Sequence, residues 1–156
     1  MNPPARERNI RVALDANILI TLLNMNRLGL LAELKGYDFY VPDQVVGEIH
    51  RRVQRERLRG AIRAGWLKEI DITDLAEIGF YASYRRRFGE GESACLAVGR
   101  KRGWMVATDD RAVKREVAAA LGGASLLDTG AILAIAVKRG LLTGAELKEI
   151  NENFSF

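Results

Sequence analysis

Cysteine and histidine are almost absent: Cys95 and His50 are the only representatives among 156 residues. A lone cysteine excludes an intrachain disulfide framework and suits a reducing compartment. One histidine and one cysteine also exclude zinc sites built from several nitrogen and sulfur ligands. Any metal must therefore be held mainly by oxygen. Long apolar runs are missing too, since the longest, Ala131–Val137, is far short of a membrane span. The charged start, Met1–Arg8, has no apolar segment of signal-peptide length behind it. A cytoplasmic protein with no membrane partner is expected. Proline occurs three times, and no Gly/Ser/Pro-rich linker, repeat or low-complexity stretch divides the chain. Residues 1–156 are thus expected to form a single domain, with 1–9 as a flexible lead.

What is present is an ordinary globular mix, 48% hydrophobic and 28% charged, enough to build a core without staples. The charge balance is slightly basic, 24 Lys+Arg against 20 Asp+Glu. The arginines cluster at Arg51, Arg52, Arg55, Arg57, Arg59 and Arg63, at Arg85–Arg87, and at Arg100 and Arg102 beside Lys101. Such clusters can follow a phosphate backbone, or can simply be solvated helix faces.

Strand-like and helix-like segments alternate. Ile10–Leu14 reads as a strand, followed by helical stretches at Ile18–Leu23 and Leu28–Leu34. Asp38–Val41 reads as a strand closed by Pro42, which can open a helix. From Asp43 the spacing of Val46, Ile49 and Val53 predicts one continuous helix, and Gly60 and Gly65 are expected to interrupt the helical stretch beyond it. Leu67–Thr73 reads as a strand, Asp74–Arg87 as a helix, and Glu92–Arg102 as a helix stopped by Gly103. Trp104–Ala107 and Ala124–Leu127 complete the strands, with helices at Arg111–Leu121, Gly130–Arg139 and Gly144–Asn151. This alternation predicts an α/β fold with a mostly parallel sheet covered on both faces.

The acids fall where such a sheet binds ligands, beyond the carboxyl ends of its strands. Asp15 follows the first strand, Asp109 and Asp110 follow the fourth, and Asp128 follows the fifth. Glu48 (V-V-G-E-I-H) and Glu92 (G-E-G-E-S-A) stand where a helix could aim them at the same crevice. Each has a plainer alternative. Asp15, Asp110 and Asp128 precede helices and could cap them, as could Glu90 and Glu92 in a first turn, whereas Glu48 reads as a helix-flank residue. Capping does not explain why the set shares one edge. Clustered carboxylates repel unless a cation neutralises them, and an all-oxygen set selects Mg2+ or Mn2+. A divalent ion held this way can acidify a bound water and stabilise charge on a phosphate.

At these residues the chain resembles the PIN-domain family, metal-dependent ribonucleases that include the toxins of VapBC-type toxin–antitoxin pairs. The matching segments are A-L-D-A-N-I-L (Ala13–Leu19), V-P-D-Q-V-V-G-E-I (Val41–Ile49), G-E-G-E-S-A-C-L-A (Gly89–Ala97) and V-A-T-D-D-R-A (Val106–Ala112). The resemblance implies a three-layer α/β/α fold around a parallel sheet of four to five strands. It implies Asp15, Glu48, Glu92 and Asp110 as catalytic and metal-binding acids, with Asp109, Glu90 and Asp128 as further possible ligands. Asn17 and Thr108 match supporting positions that orient the acids. It further implies cleavage of single-stranded RNA with Mg2+ or Mn2+, a small antitoxin partner and a homodimer. Arg51, Arg52 and Arg55 are the candidate RNA-binding residues.

Other readings fit less well. A haloacid dehalogenase-like enzyme wants a second acid where Asn17 stands, a receiver domain wants an acidic pair near the start, and no P-loop motif occurs. A non-catalytic PIN-fold nucleic-acid-binding or RNA-processing accessory protein remains the alternative. Cys95 is expected in the core and His50 on a helix surface. Trp66, Trp104, Phe80, Tyr81 and Tyr84 are expected to pack, although aromatics can also stack on bases.

Overall fold

A computed structural model describes residues 8–154. Of the expected flexible lead, residues 1–7 lie outside the described residues. Arg8 and Asn9 are exposed, and the Asn9 amide donates to Asp38 at 3.2 Å.

Five parallel strands form the sheet: β1 (Ile10–Leu14), β2 (Tyr37–Pro42), β3 (Leu67–Ile70), β4 (Met105–Ala107) and β5 (Leu126–Leu127). Their spatial order is β3-β2-β1-β4-β5. Val12, Ala13 and Leu14 are each fully buried. Successive strand residues point to opposite faces, so burial of all three means that helices cover both sides. The architecture is the expected α/β one, with the sheet sandwiched between helices.

The helices are α1 (Ala16–Asn24), α2 (Leu30–Glu33), α3 (Asp43–Val46), α4 (Arg52–Ala64), α5 (Leu75–Tyr84), α6 (Glu90–Arg102), α7 (Arg111–Ala120), α8 (Thr129–Lys138) and α9 (Gly144–Asn153). Local chemistry sets most of their ends. Asp74, Asp110 and Asp128 accept from free backbone N–H groups at the starts of α5, α7 and α8. Gly65 and Gly103 end α4 and α6 at φ 89° and 69°, a left-handed conformation that glycine adopts without strain. The apolar helix α6 lies across β1, β2 and β4 and carries the core residues Cys95, Leu96 and Val98. A smaller cluster of Met25, Leu30, Leu133, Ala136, Leu142 and Ile150 joins α8 and α9 to the end of α1.

Three expectations change. The helix from Asp43 is not continuous: α3 stops at Val46, the chain turns through Gly47 and Glu48, and α4 starts at Arg52. The restart shifts the helical phase, so α4 buries Leu58 and Ala61 while Val53 is 62% exposed. Gly60 does not interrupt α4, because the burial of Leu58 and Ala61 around it offsets a glycine cost of roughly 0.5–1 kcal/mol. His50 is exposed, but in the connection between α3 and α4 rather than on a helix.

Candidate active site

The strand order switches direction between β1 and β4, the point where an open parallel sheet leaves a crevice. Leu14 pairs with Ala107, and the Asp15 N–H donates to the Ala107 carbonyl at 3.0 Å. Asp15 and Thr108 therefore leave the sheet side by side.

Their side chains form a closed set of bonds. Asp15, 1% exposed, accepts at Oδ1 from the Ala16 N–H (2.8 Å) and at Oδ2 from the Thr108 hydroxyl (2.9 Å) and the Asn17 amide (3.2 Å). Thr108 Oγ1 accepts in turn from the Asp110 N–H (3.2 Å), while Asn17 Oδ1 accepts from the Asp109 N–H (3.0 Å). Asn17 and Thr108 thus hydrogen-bond the Asp15 carboxylate and fix its orientation. A carboxylate has about four acceptor positions, so Asp15 keeps capacity for one more partner.

The other acids arrive from three different elements. Glu48 sits in the turn after α3, where its Oε1 accepts from the Gly91 N–H at 2.8 Å. That approach depends on Gly91, since a Cβ there would lie 2.7 Å from Glu48 Oε2. Glu92 stands in the first turn of α6, and Asp110 caps α7 through the Val113 N–H at 2.9 Å. Burial pushes Asp15 up from 3.8 to about 6, helped by the charges of Glu48 and Asp110 and opposed by its hydrogen bonds. Burial likewise pushes Glu92 to about 7, with Asp15, Asp110 and Glu48 adding to the rise. Burial also drives the Cys95 thiol far up beneath these acids, which leaves it an inert core group.

The possible further ligands have other engagements. Both oxygens of Asp109 are taken by Thr129, at 2.9 Å from its N–H and 2.6 Å from its hydroxyl. Asp128 caps α8 through Ala131 and pairs with Lys114 at 3.0 Å. Glu90 is exposed and reaches Arg85 at 4.0 Å. None of these three is among the groups that raise Asp15 or Glu92.

Asp15, Glu48, Glu92 and Asp110 are the side chains that could hold a cation. Among the described residues, no three acidic, His or Cys groups stand close enough to close on an ion unaided. The four acids stand close enough for their charges to act on Asp15 and Glu92, and no basic group among the described residues offsets either. An open, all-oxygen, under-neutralised set of acids suits a hard ion that keeps part of its water shell. The donor set fits Mg2+ or Mn2+.

A family profile described as a PIN domain matches residues 11–154, nearly the whole chain. The chain belongs to the PIN-domain family. Among solved structures, this PIN domain is similar to PAE2754 from Pyrobaculum aerophilum, with 15% identity, a TM-score of 0.55, and coverage of 83% of this chain and 90% of that one. That likeness shows the shared fold. Two further similar structures are VapBC2 from Rickettsia felis bound to a DNA fragment from their promoter (16% identity, TM-score 0.48, 76% and 97% covered) and FitAcB from Neisseria gonorrhoeae (16%, 0.41, 75% and 95%). No curated protein matches the PIN domain by sequence.

The basic residues fall into two groups. Arg51, Arg52 and Arg55 are exposed, at and just before the start of α4; Arg52 pairs with Glu56, and Arg55 Nε donates to the Ile49 carbonyl. Arg100 and Arg102 are structural. Arg102 binds the buried Glu77 through two nitrogens and lies over Trp104, while Arg100 lies over Phe80 and donates to the Tyr84 hydroxyl. Trp104 and Tyr84 pack as expected, both buried. Gly91 and Thr129 were not singled out in the sequence. Only the glycine left a signal there, between the two acids of G-E-G-E.

Proposed function

We propose that this PIN domain is a metal-dependent endoribonuclease that cleaves single-stranded RNA, and that it is the toxin of a VapBC-type toxin–antitoxin pair. One observation carries the reading: at the switch point the charges of Glu48 and Asp110 add to the proton affinity of the buried Asp15, all three add to that of Glu92, and no basic side chain among the described residues offsets either. Natural sequences retain such repulsion where an ion or a reaction uses it.

Asp15, Glu48, Glu92 and Asp110 hold Mg2+ or Mn2+ in this reading. When bound, the ion supplies a water of lowered pKa and neutralises charge building on the phosphate under attack. The chain's own work is orientation. Thr108 and Asn17 fix the Asp15 carboxylate, the Gly91 N–H anchors Glu48, and the Val113 N–H steadies Asp110. Arg51, Arg52 and Arg55, exposed just past Glu48, contact the phosphates of the RNA on that side. The toxin role follows from the four motifs' resemblance to VapBC toxins. It brings a small neutralising antitoxin, a homodimer and a cytoplasmic setting.

The test is cleavage of a mixed RNA pool with and without Mn2+, comparing wild type with Asp15→Asn. Cleavage should need both the ion and Asp15. If neither protein cuts under any condition while both bind RNA equally, the protein is a binding module. Growth arrest on expression should depend on Asp15 and be relieved by a small protein encoded beside it; normal growth with an active enzyme would exclude the toxin role.

A further inference from the structure

Beside the acids lies a groove of about 670 Å³ that shares Asn17 and Asp109 with the site. One wall is a polar ladder on α1: Asn17, Thr21 and Asn24, spaced i, i+4 and i+7, so that it runs outward for about 10 Å. The opposite wall is the first turn of α7, with Arg111 and Lys114. Phe154 lines the groove as well, at the end of α9.

The polar atoms here are not equally committed. Asp109 is satisfied by Thr129, and Lys114 is held by Asp128. Asn24 accepts at Oδ1 from the Gln54 amide at 2.7 Å, which leaves its own NH2 to donate. Arg111 is exposed and has no carboxylate partner among the described residues. It sits in the first turn of α7, where the helix dipole disfavours a cation. A cation kept there, directly after Asp110, is well placed for an anion approaching the acids.

A guanidinium forks onto phosphate oxygens, and the cavity is within the usual size range for a bound small molecule or nucleotide. We infer that this groove seats the nucleotide adjoining the scissile phosphodiester. Arg111 grips that nucleotide's outer phosphate, Thr21 and Asn24 hydrogen-bond its sugar and base edge, and Phe154 offers the base an apolar face. This rests on the nuclease reading above. It assigns the strand a direction across the molecule, along α1, that Arg51, Arg52 and Arg55 do not define.

The test reads binding apart from cleavage. A fluorescein-labelled single-stranded hexaribonucleotide is titrated in EDTA against wild type, Arg111→Ala, Asn24→Ala and Arg115→Ala. Arg115 is an exposed α7 arginine outside the groove. Arg111→Ala should weaken binding about 5- to 30-fold and reduce the salt-dependence slope by about 0.7, the value for one phosphate contact on a single strand. Asn24→Ala should weaken binding about 2- to 5-fold, and Arg115→Ala should match wild type. Equal losses in Arg111→Ala and Arg115→Ala, or no loss in either groove variant, overturn the inference. Cleavage with Mn2+ separates the two claims. Arg111→Ala should raise KM more than it lowers kcat. An unchanged KM in an active enzyme rejects the groove alone, and Arg111-dependent binding without any cleavage rejects the nuclease alone.

Discussion

Without a metal ion, this PIN domain should become less stable as the pH rises from about 5 to 7.5, and Asp15 should be the main reason. Its carboxyl is pushed from 3.8 to about 6 by burial and by Glu48 and Asp110. In the unfolded chain it returns to its ordinary value, so the native state holds the proton more tightly. The stabilisation from that proton is complete below about pH 4 and disappears as the pH climbs through about 6. A shift of this size corresponds to about 3 kcal/mol over the whole titration, of which about 1.4 kcal/mol is lost between pH 5 and 7.5, roughly 3–6 °C in the unfolding midpoint for a chain of this length. Glu92 acts in the same direction, but its exposure lets solvent screen the effect. Asp128 acts the other way: Ala131 and Lys114 lower it, so its contribution is lost only as the pH falls below about 4. Thermal unfolding by circular dichroism in EDTA, at pH 5 and 7.5, measures the difference. Asp15→Asn removes the charge, so it should unfold at a higher temperature than wild type at pH 7.5 and lose most of the pH dependence. Asp43, raised by burial and by Glu69 against its hydrogen bond with Asp71, and Asp71, raised by Asp43, titrate in both proteins and cancel in the comparison. Mn2+ should raise the wild-type midpoint at pH 7.5 through binding linkage and do little for Asp15→Asn. A flat wild-type profile, or equal slopes in the two proteins, refutes the reasoning.

Gly91→Ala places a Cβ 2.7 Å from Glu48 Oε2 and 2.9 Å from Oε1. The carboxylate can swing away, so stability should change by less than about 1 kcal/mol, while Mn2+-dependent RNA cleavage should fall at least about 10-fold; wild-type activity would disprove the anchoring role. Gly99→Ala meets Val106 Cγ2 at 2.8 Å in the core and Leu121 Cδ2 at 2.9 Å, partly buried against it. It should cost about 1–3 kcal/mol in a denaturant titration, and no loss would mean that the α6–β4 packing is looser than described. Arg102→Met strands the buried Glu77 carboxylate and should cost about 3–5 kcal/mol. Adding Glu77→Leu should recover most of it, and a failure to recover would locate the loss in the stacking on Trp104.

The features legible in the sequence are those that local chemistry decides. β1 and its Asp15, the aspartate caps at 110 and 128, and the stop at Gly103 all declare themselves within a few residues. The neighbourhood of Asp15 and Asp110 followed from placing both just after strands, whereas Glu48 and Glu92 come from a turn and a helix. The break between α3 and α4 was not legible. Val46, Ile49 and Val53 carry a helical spacing, and the turn is held by a bond from the Gly91 N–H to the Glu48 carboxylate, 43 residues apart. Arg102 was equally opaque: on a linear chain it looks like a solvated helix face, and only the packing of α5 on α6 gives it Glu77. The Arg111 groove is of the same kind, since it exists only between helices far apart in the chain.

The central position of β1 also bears on how the protein is made. One neighbour, β2, comes directly after it in the chain, but the other is β4, and Thr108 comes 93 residues after Asp15. A nascent chain that has reached only β3 has a bare edge on β1 and lacks both Thr108 and Asp110. Prematurely terminated products would therefore carry an unfinished, aggregation-prone sheet edge and no complete set of acids. Translation would assemble Asp15 with Thr108 and Asp110 only once the last third of the chain had joined the rest.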